Sequence, residues 1–324
     1  MTLLAVDSGT TSTRVWVMER GDVLTEVSGH AGARDLARSR DREWLAQRVR
    51  ELSDEALRAS GHEWRSVEAV VAFGMITSEL GLMEVPHLDA PVDPGELAAG
   101  MQPGDLEKYL PAPVHFVPGV RFDADDLHTA DLMRGEETEV AGLLGSGQVA
   151  PPFLFVSSGS HTKFIAVDDA RRILWCLTTL SGELLWALHR ETILAGLVDP
   201  KNDIEDFGAV EEGAGLCEEM GLTRALFAAR LLNRVQGADP RSCSAFIHGA
   251  VAQEDLTALR LALERRGFAL PTVVALRSGG ALGQAYRRLL QKEDWVAELR
   301  DPPEPLGAMG AWWLYALRQR SRVV

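Results

Sequence analysis

Leu3-Leu4-Ala5-Val6-Asp7-Ser8-Gly9-Thr10-Thr11-Ser12-Thr13-Arg14-Val15-Trp16-Val17-Met18 opens the chain. The stretch reads as two short apolar strands joined by a turn of Gly, Ser and Thr, with one acid, Asp7, at its mouth. A later stretch has the same form. Phe153-Leu154-Phe155-Val156 is an apolar run, Ser157-Ser158-Gly159-Ser160-His161-Thr162-Lys163 a polar turn, and Phe164-Ile165-Ala166-Val167 the returning strand. Val6-Asp7-Ser8-Gly9-Thr10 lies over Val156-Ser157-Ser158-Gly159-Ser160 without a gap. A third strand follows each hairpin, Val23 to Val27 in the first case and Ile173 to Leu177 in the second. Two halves that open alike point to an internal duplication, against the plainer reading of two chance glycine turns.

Outward from these hairpins, Asp41 reads as the N-cap of a helix to about Ser60, with Trp44, Leu45, Val49, Leu52, Ala56 and Leu57 at helical spacing. Val67 to Phe73 reads as a strand ending at Gly74-Met75. Residues 84–128 carry many prolines and predict loops and short strands, with Val114 to Val117 the best strand. Asp131 to Leu144 predicts a helix. Gly145-Ser146-Gly147 and Pro151-Pro152 then place a boundary, giving units 1–150 and 151–324. Beyond the second hairpin, helices are expected over 182–197, 204–220, 223–235, 243–266, 281–291 and 305–319. A strand is expected over 271–276, with a Ser278-Gly279-Gly280 turn after it.

The composition narrows the function. Lys plus Arg is 33 and Asp plus Glu 47, a net charge of −14, so a phosphate-tracking nucleic-acid surface is not expected. The chain is 46% apolar, enough for a sizeable core, yet no apolar run approaches a membrane span. Cys176, Cys217 and Cys243 show no metal-binding spacing and read as reduced thiols of a cytoplasmic protein.

Gly/Ser/Thr turns expose backbone N–H groups and hydroxyls, and two of them across a cleft can hold a polyphosphate from both sides. The first turn carries Asp7, which suits a hydrated Mg²⁺. The second carries His161 and Lys163, which suit phosphate oxygens. Phosphoryl transfer needs that division, because metal and cations share the developing charge. Gly279 and Gly280, between a strand and a helix, let a nucleotide approach the backbone. A hydroxyl acceptor also needs a base. The densest acidic segment, with Asp123, Asp125, Asp126, Asp131, Glu136 and Glu137, precedes the boundary where a cleft would lie. Its plain reading is a solvated acidic face. Gly74 to Ser78, at a strand end, suits contacts to a polar substrate.

With these segments in place the sequence resembles the 2-dehydro-3-deoxygalactonokinases, sugar-acid kinases of the actin, sugar-kinase and heat-shock-chaperone superfamily. Asp7-x-Gly9-Thr10-Thr11-x-x-Arg14-x-Trp16 resembles that family's opening, and Gly74-Met75-x-x-Ser78 its second motif. Met133-Arg134-Gly135-Glu136-Glu137-Thr138, with Pro118-Gly119 upstream, is the most specific likeness. Gly159-Ser160-His161-x-Lys163, Ser181-Gly182-Glu183-Leu184 and Leu226-Phe227-x-x-Arg230 follow in the family's order. Ser8 stands where the family often has Trp. Gln253 and Asp255 stand where it has Gly and Glu, and Ser278-Gly279-Gly280 where it has Ala-Gly-Thr.

The resemblance implies an α/β chain of two ribonuclease-H-like (actin-like ATPase) domains, with mixed sheets flanked by helices and an interdomain cleft. It implies ATP, Mg²⁺ and phosphorylation of the 6-hydroxyl of 2-dehydro-3-deoxy-D-galactonate, in galactonate breakdown ahead of an aldolase. Asp7, Gly9, Thr10 and Thr11 would form the first phosphate turn, with Asp7 at the metal. Gly159, Ser160, His161 and Lys163 would form the second. Arg14, Gly74, Met75, Thr77 and Ser78 would lie near the sugar acid. Asp131 is expected as the base, with Glu136 and Glu137 as alternates or metal partners. A kinase of another deoxy-keto sugar acid, or a sensor without turnover, is the alternative on the same fold. A homo-oligomer is left open.

Overall fold

The computed structural model describes residues 2–123, 125–201, 203–269 and 271–321. The chain begins with β1 (Thr2–Ser8), β2 (Thr13–Glu19), β3 (Asp22–Gly29), α1 (Ala33–Ser39), α2 (Arg42–Ala59) and β4 (Val67–Gly74). Next come β5 (Leu88–Asp89), α3 (Pro94–Gly100), β6 (Gln102–Gly104), β7 (Val114–Phe116), β8 (Val120–Phe122), β9 (Asp131–Met133) and α4 (Glu136–Ser146). The second half holds β10 (Phe153–Ser157), β11 (Thr162–Val167), β12 (Ile173–Thr179), α5 (Ser181–Glu191), α6 (Phe207–Met220), α7 (Leu222–Arg234) and α8 (Pro240–Arg266). It closes with β13 (Val273–Arg277), α9 (Gly280–Leu290), β14 (Glu298–Arg300) and α10 (Leu306–Ser321).

Two sheets share one plan. The first has the order β3-β2-β1-β4-β7-β6 and the second β12-β11-β10-β13-β14. In each, three antiparallel strands are followed by two parallel ones. The prolyl segment 84–128 adds β7 and β6 to the edge of the first sheet and gives β5 and β8 to a third sheet, β5-β8-β9. The expected duplication is therefore present in the strand pairing itself.

Burial follows strand period. On β1, Leu4 and Val6 enter a core with the α2 stripe of Leu45, Val49, Leu52 and Ala56. Leu3 and Ala5 enter the opposite core, which runs on into the second half. Asp7 continues that odd-numbered series and leaves the strand end on the side of the second half. The edge strand β3 alternates exposed and half-buried residues, as one-sided packing requires. Asp41 caps α2, accepting from the Trp44 N–H at 3.0 Å. Helix α10 returns to the first sheet, packing on β1, β4, α3 and α4. Its approach to α4 uses Gly142 and Gly310, where a Cβ would lie 2.2 Å from the Leu306 carbonyl oxygen and 1.8 Å from the Thr138 carbonyl oxygen.

Two expected helices change. Asp131 to Leu144 is not continuous: Asp131–Met133 pairs with β8, Gly135 turns at φ +117°, and α4 starts at Glu136. Asp131 therefore shares no helical face with Gly135. The strand wins because β8 supplies backbone partners that a lone helical turn lacks. The expected helix over 182–197 ends at Glu191, where Thr192 is extended and its hydroxyl donates to the Leu188 carbonyl at 2.8 Å. Among the described residues, no helix is long and apolar enough to cross a membrane.

Candidate active site

The parallel and antiparallel registers bring the ends of β1, β2, β4, β9, β11 and β13 to one cleft of about 320 Å³. Asp7, Gly9, Thr10 and Arg14 line it from the first hairpin, Gly74 and Met75 from the end of β4. His161 and Lys163 face them from the second hairpin, and Glu136 stands between. The two turns thus share a crevice.

Asp7 lies opposite Arg14 across β1 and β2, and Arg14 Nη2 donates to Asp7 Oδ2 at 2.7 Å. Burial pushes the Asp7 carboxyl above the usual carboxylate range, and Arg14 pulls it back only in part. Gly74 turns at φ +81° beside it. A Cβ there would sit 2.9 Å from Asp7 Oδ1 and 2.8 Å from the Ser8 carbonyl oxygen, so only glycine lets β4 turn away at this point.

In the second half, Ser157 occupies the place of Asp7. Its antiparallel partner is Lys163 and its parallel partner Arg277. Arg277 Nη2 donates to Ser157 Oγ at 2.8 Å, and its Nη1 is ion-paired with Glu139. Burial raises the Glu139 carboxyl to about 7, against the pull of Arg277. Lys163 Nζ donates to Thr178 Oγ1 at 2.8 Å and to the Leu132 carbonyl at 3.3 Å. Burial works against its charge, but Glu136 leads neighbouring anions that together hold its ammonium above the ordinary lysine value.

Glu136 is the first residue of α4, and its Oε2 is buried without a hydrogen-bond partner. Its charge is felt by Asp7, Glu137, Glu139, Lys163 and Arg277. Glu137 points elsewhere. It is fully buried, with its two carboxylate oxygens accepting the Gly135 N–H at 2.9 and 2.7 Å and Oε1 also accepting the Thr138 hydroxyl at 3.0 Å. Burial lifts its carboxyl to about 7. Asp131 is also occupied. Its Oδ2 accepts the Thr178 N–H at 2.6 Å, and its Oδ1 accepts the Thr178 hydroxyl at 2.8 Å and the Leu132 N–H at 2.7 Å. It ties β9 to β12 beside the cleft and does not line it.

Thr77 and Ser78 sit behind the cleft wall. Thr77 is clamped by Arg134, which donates to its hydroxyl and its carbonyl, both at 2.6 Å. The Ser78 hydroxyl donates to the Met75 carbonyl at 2.8 Å. Thr11 is exposed on the turn and outside the cleft lining. Gly159, Ser160, Gly279 and Gly280 line a neighbouring cavity of about 160 Å³, with Trp186.

The sequence reading missed Arg277 and Glu139. A charged residue ending a strand before Ser278-Gly279-Gly280 was the available signal for Arg277, and a glutamate three places after Glu136 the signal for Glu139. Arg134, inside the most specific motif, acts on Thr77 rather than on the cleft's charge.

A sequence profile of the family described as 2-keto-3-deoxy-galactonokinase matches residues 7–312. The 2-dehydro-3-deoxygalactonokinase of Escherichia coli strain K12 is 27% identical over 261 residues, covering 79% of this chain and 80% of that protein. A Sinorhizobium meliloti protein whose assignment as a 2-dehydro-3-deoxygalactonokinase is itself provisional superposes with a TM-score of 0.72 at 22% identity, over 99% of both chains. A ligand-bound xylulose kinase from Lactobacillus acidophilus superposes at 0.55, with 9% identity, over 99% of this chain and 90% of that one. These superpositions place the chain among the actin-like ATPase and sugar-kinase folds. With two duplicated sheets, a shared cleft between their turns and a family profile spanning nearly its whole length, the chain belongs to the 2-keto-3-deoxy-galactonokinase family.

Proposed function

We propose that this sugar-acid kinase transfers the γ-phosphoryl group of ATP, with Mg²⁺, to the 6-hydroxyl of 2-dehydro-3-deoxy-D-galactonate, upstream of an aldolase step. A kinase of this fold uses a nucleotide and a divalent cation; the identities ATP and Mg²⁺ belong to this proposal. The observation that carries it is that the two hairpin turns meet in one cleft, with Asp7 paired to Arg14 at the first, Lys163 and Arg277 at the second, and Glu136 between them.

The donor set suits Mg²⁺. Among the described residues no cluster of three or more His, Cys, Asp and Glu forms a metal cage. A hydrated Mg²⁺ needs only one or two carboxylates and takes its other ligands from water and phosphate. Asp7 would supply that carboxylate. Bound there, the cation would offset negative charge on the transferring group.

The chain's own residues would then act as follows. Gly9, Thr10, Gly159 and Ser160 present turn backbone and hydroxyls to the phosphates. Lys163 and Arg277 hold cationic charge where phosphoryl oxygens gather charge. Arg14 pairs with the substrate carboxylate end while keeping Asp7 aligned. Glu136, which lines the cleft and has no protein donor on its Oε2, takes the hydroxyl proton and so replaces Asp131 as the proposed base. Closure of the lobes (residues 1–150 with α10, and 151–305) over the cleft excludes water and directs transfer to the sugar.

A coupled ADP-release assay over 2-keto-3-deoxy sugar acids tests the reading. The galacto-configured acid should give the highest kcat/KM. Faster turnover of another acid reassigns the substrate, and nucleotide binding without turnover of any acid favours the sensor.

A further inference from the structure

Asp255 is a buried carboxylate outside the cleft, and the proposed chemistry leaves it unused. It lies on α8, 4% exposed. Its Oδ2 accepts the Thr179 hydroxyl at 2.9 Å and the Ser181 hydroxyl at 2.5 Å, and it also accepts the Tyr286 hydroxyl. Tyr286 is fully buried on α9 and reaches Thr162 Oγ1 at 3.2 Å. One oxygen thus gathers β12, α5 and α9 around α8.

These partners share a neighbour. Thr162 begins β11, directly after the second turn. Ser181 begins α5, and the next two residues press on that turn from beneath. A Cβ on Gly182 would lie 2.0 Å from the Gly159 carbonyl oxygen, and the Glu183 N–H donates to the Ser160 carbonyl at 2.9 Å. Gly159 and Ser160 are therefore held on one side by the start of α5, while Thr162 is held at the exit of the turn through Tyr286. Both restraints end on Asp255. Burying a carboxylate is costly unless donors satisfy it, and such a site gives its partners a fixed place rather than net stability.

We infer that Asp255 is a positioning residue that sets the second phosphate turn for the nucleotide. It touches no cleft atom and acts through Ser181 and Tyr286. The inference rests on residues 157–163 being a phosphate turn.

The test separates nucleotide from sugar-acid effects. Asp255→Asn keeps the volume but weakens the acceptor. It should lower kcat/KM for ATP about 10- to 100-fold, the scale of a misplacement near 1 Å, with the KM for the sugar acid unchanged. Directly measured ATP binding should weaken with it. Tyr286→Phe and Ser181→Ala should each give part of this loss, and neither should add to Asp255→Asn. Equal changes in both substrates' KM values, or a lower Tm with wild-type ATP binding, overturn the inference. If Asp255→Asn does not fold, Tyr286→Phe and Thr179→Val decide it by the same split. A wild-type chain that turns over with ATP but shows no split in these variants defeats only this inference. A wild-type chain that binds no nucleotide defeats the kinase reading as well.

Discussion

The two hairpins are built on one plan and charged in opposite ways. Asp7 has Arg14 across the antiparallel ladder and Phe73 across the parallel one. Ser157, in the matching place, has Lys163 and Arg277. The first site has an anion held by one cation at its rim; the second has two cations around a hydroxyl. The two cradles share one strand pairing and differ in charge where Ser157 replaces Asp7 and Arg277 replaces Phe73. Backbone geometry is shared because hydrogen-bond pairing fixes it. Charge is not shared, because a side chain at a strand end changes without disturbing the ladder.

Substitutions can break this contrast. The largest expected effect is at Glu136, which stands between the two sites. Glu136→Gln should lower kcat by about 10²–10⁴ with little change in the sugar-acid KM. Asp131→Asn, altering a carboxylate already held by Thr178, should cost less than about 10-fold; steady-state kinetics on both variants decides which carboxylate is the base. Arg277→Met, in the second site, strands Glu139 in the interior. It should cost about 3–5 kcal/mol above pH 7, measured by chemical denaturation. The loss should shrink as pH falls, because Glu139 then takes up a proton.

Glu137 sharpens the point from outside the cleft. Its folded carboxyl lies near 7, above the unfolded value of 4.5. A raised carboxylate favours the folded state below the unfolded value, and that advantage is lost as pH rises toward 7. Glu137→Gln should remove on the order of 3 kcal/mol of this decline between pH 4.5 and pH 8, read from denaturation midpoints. A smaller effect than these is steric. Gly182→Ala pushes a methyl into the Gly159 carbonyl and should cost about 1–3 kcal/mol in nucleotide binding by calorimetry, leaving sugar-acid binding alone.

Much of the fold was legible because apolar runs and glycine turns are local signals. The repeat of Val6 to Thr10 at Val156 to Ser160 predicted two like sheets, and the pairing bears it out. Segment 84–128 was legible as loops and short strands, with Val114 to Val117 appearing as β7, but helix α3 and the pairing of its short strands were not, since those depend on tertiary partners. Asp131 to Met133 failed for a related reason: its helical spacing was outweighed by pairing with β8 and by the bonds of Asp131 to Thr178, 47 residues away. In the candidate site, the turns and Glu136 were visible as motifs. Arg277 and Glu139 were not, because a salt bridge over 138 residues leaves no trace in spacing.

Local sequence specifies the two hairpins, their glycine turns and the residue types at their mouths, since these depend on neighbours a few positions away. Which of the acidic residues are tied to partners depends on tertiary packing. Asp131, Glu136, Glu137 and Glu139 are equally acidic as letters. Packing gave three of them partners, in Thr178, the Gly135 N–H and Arg277, and left Oε2 of the cleft-lining Glu136 buried without one.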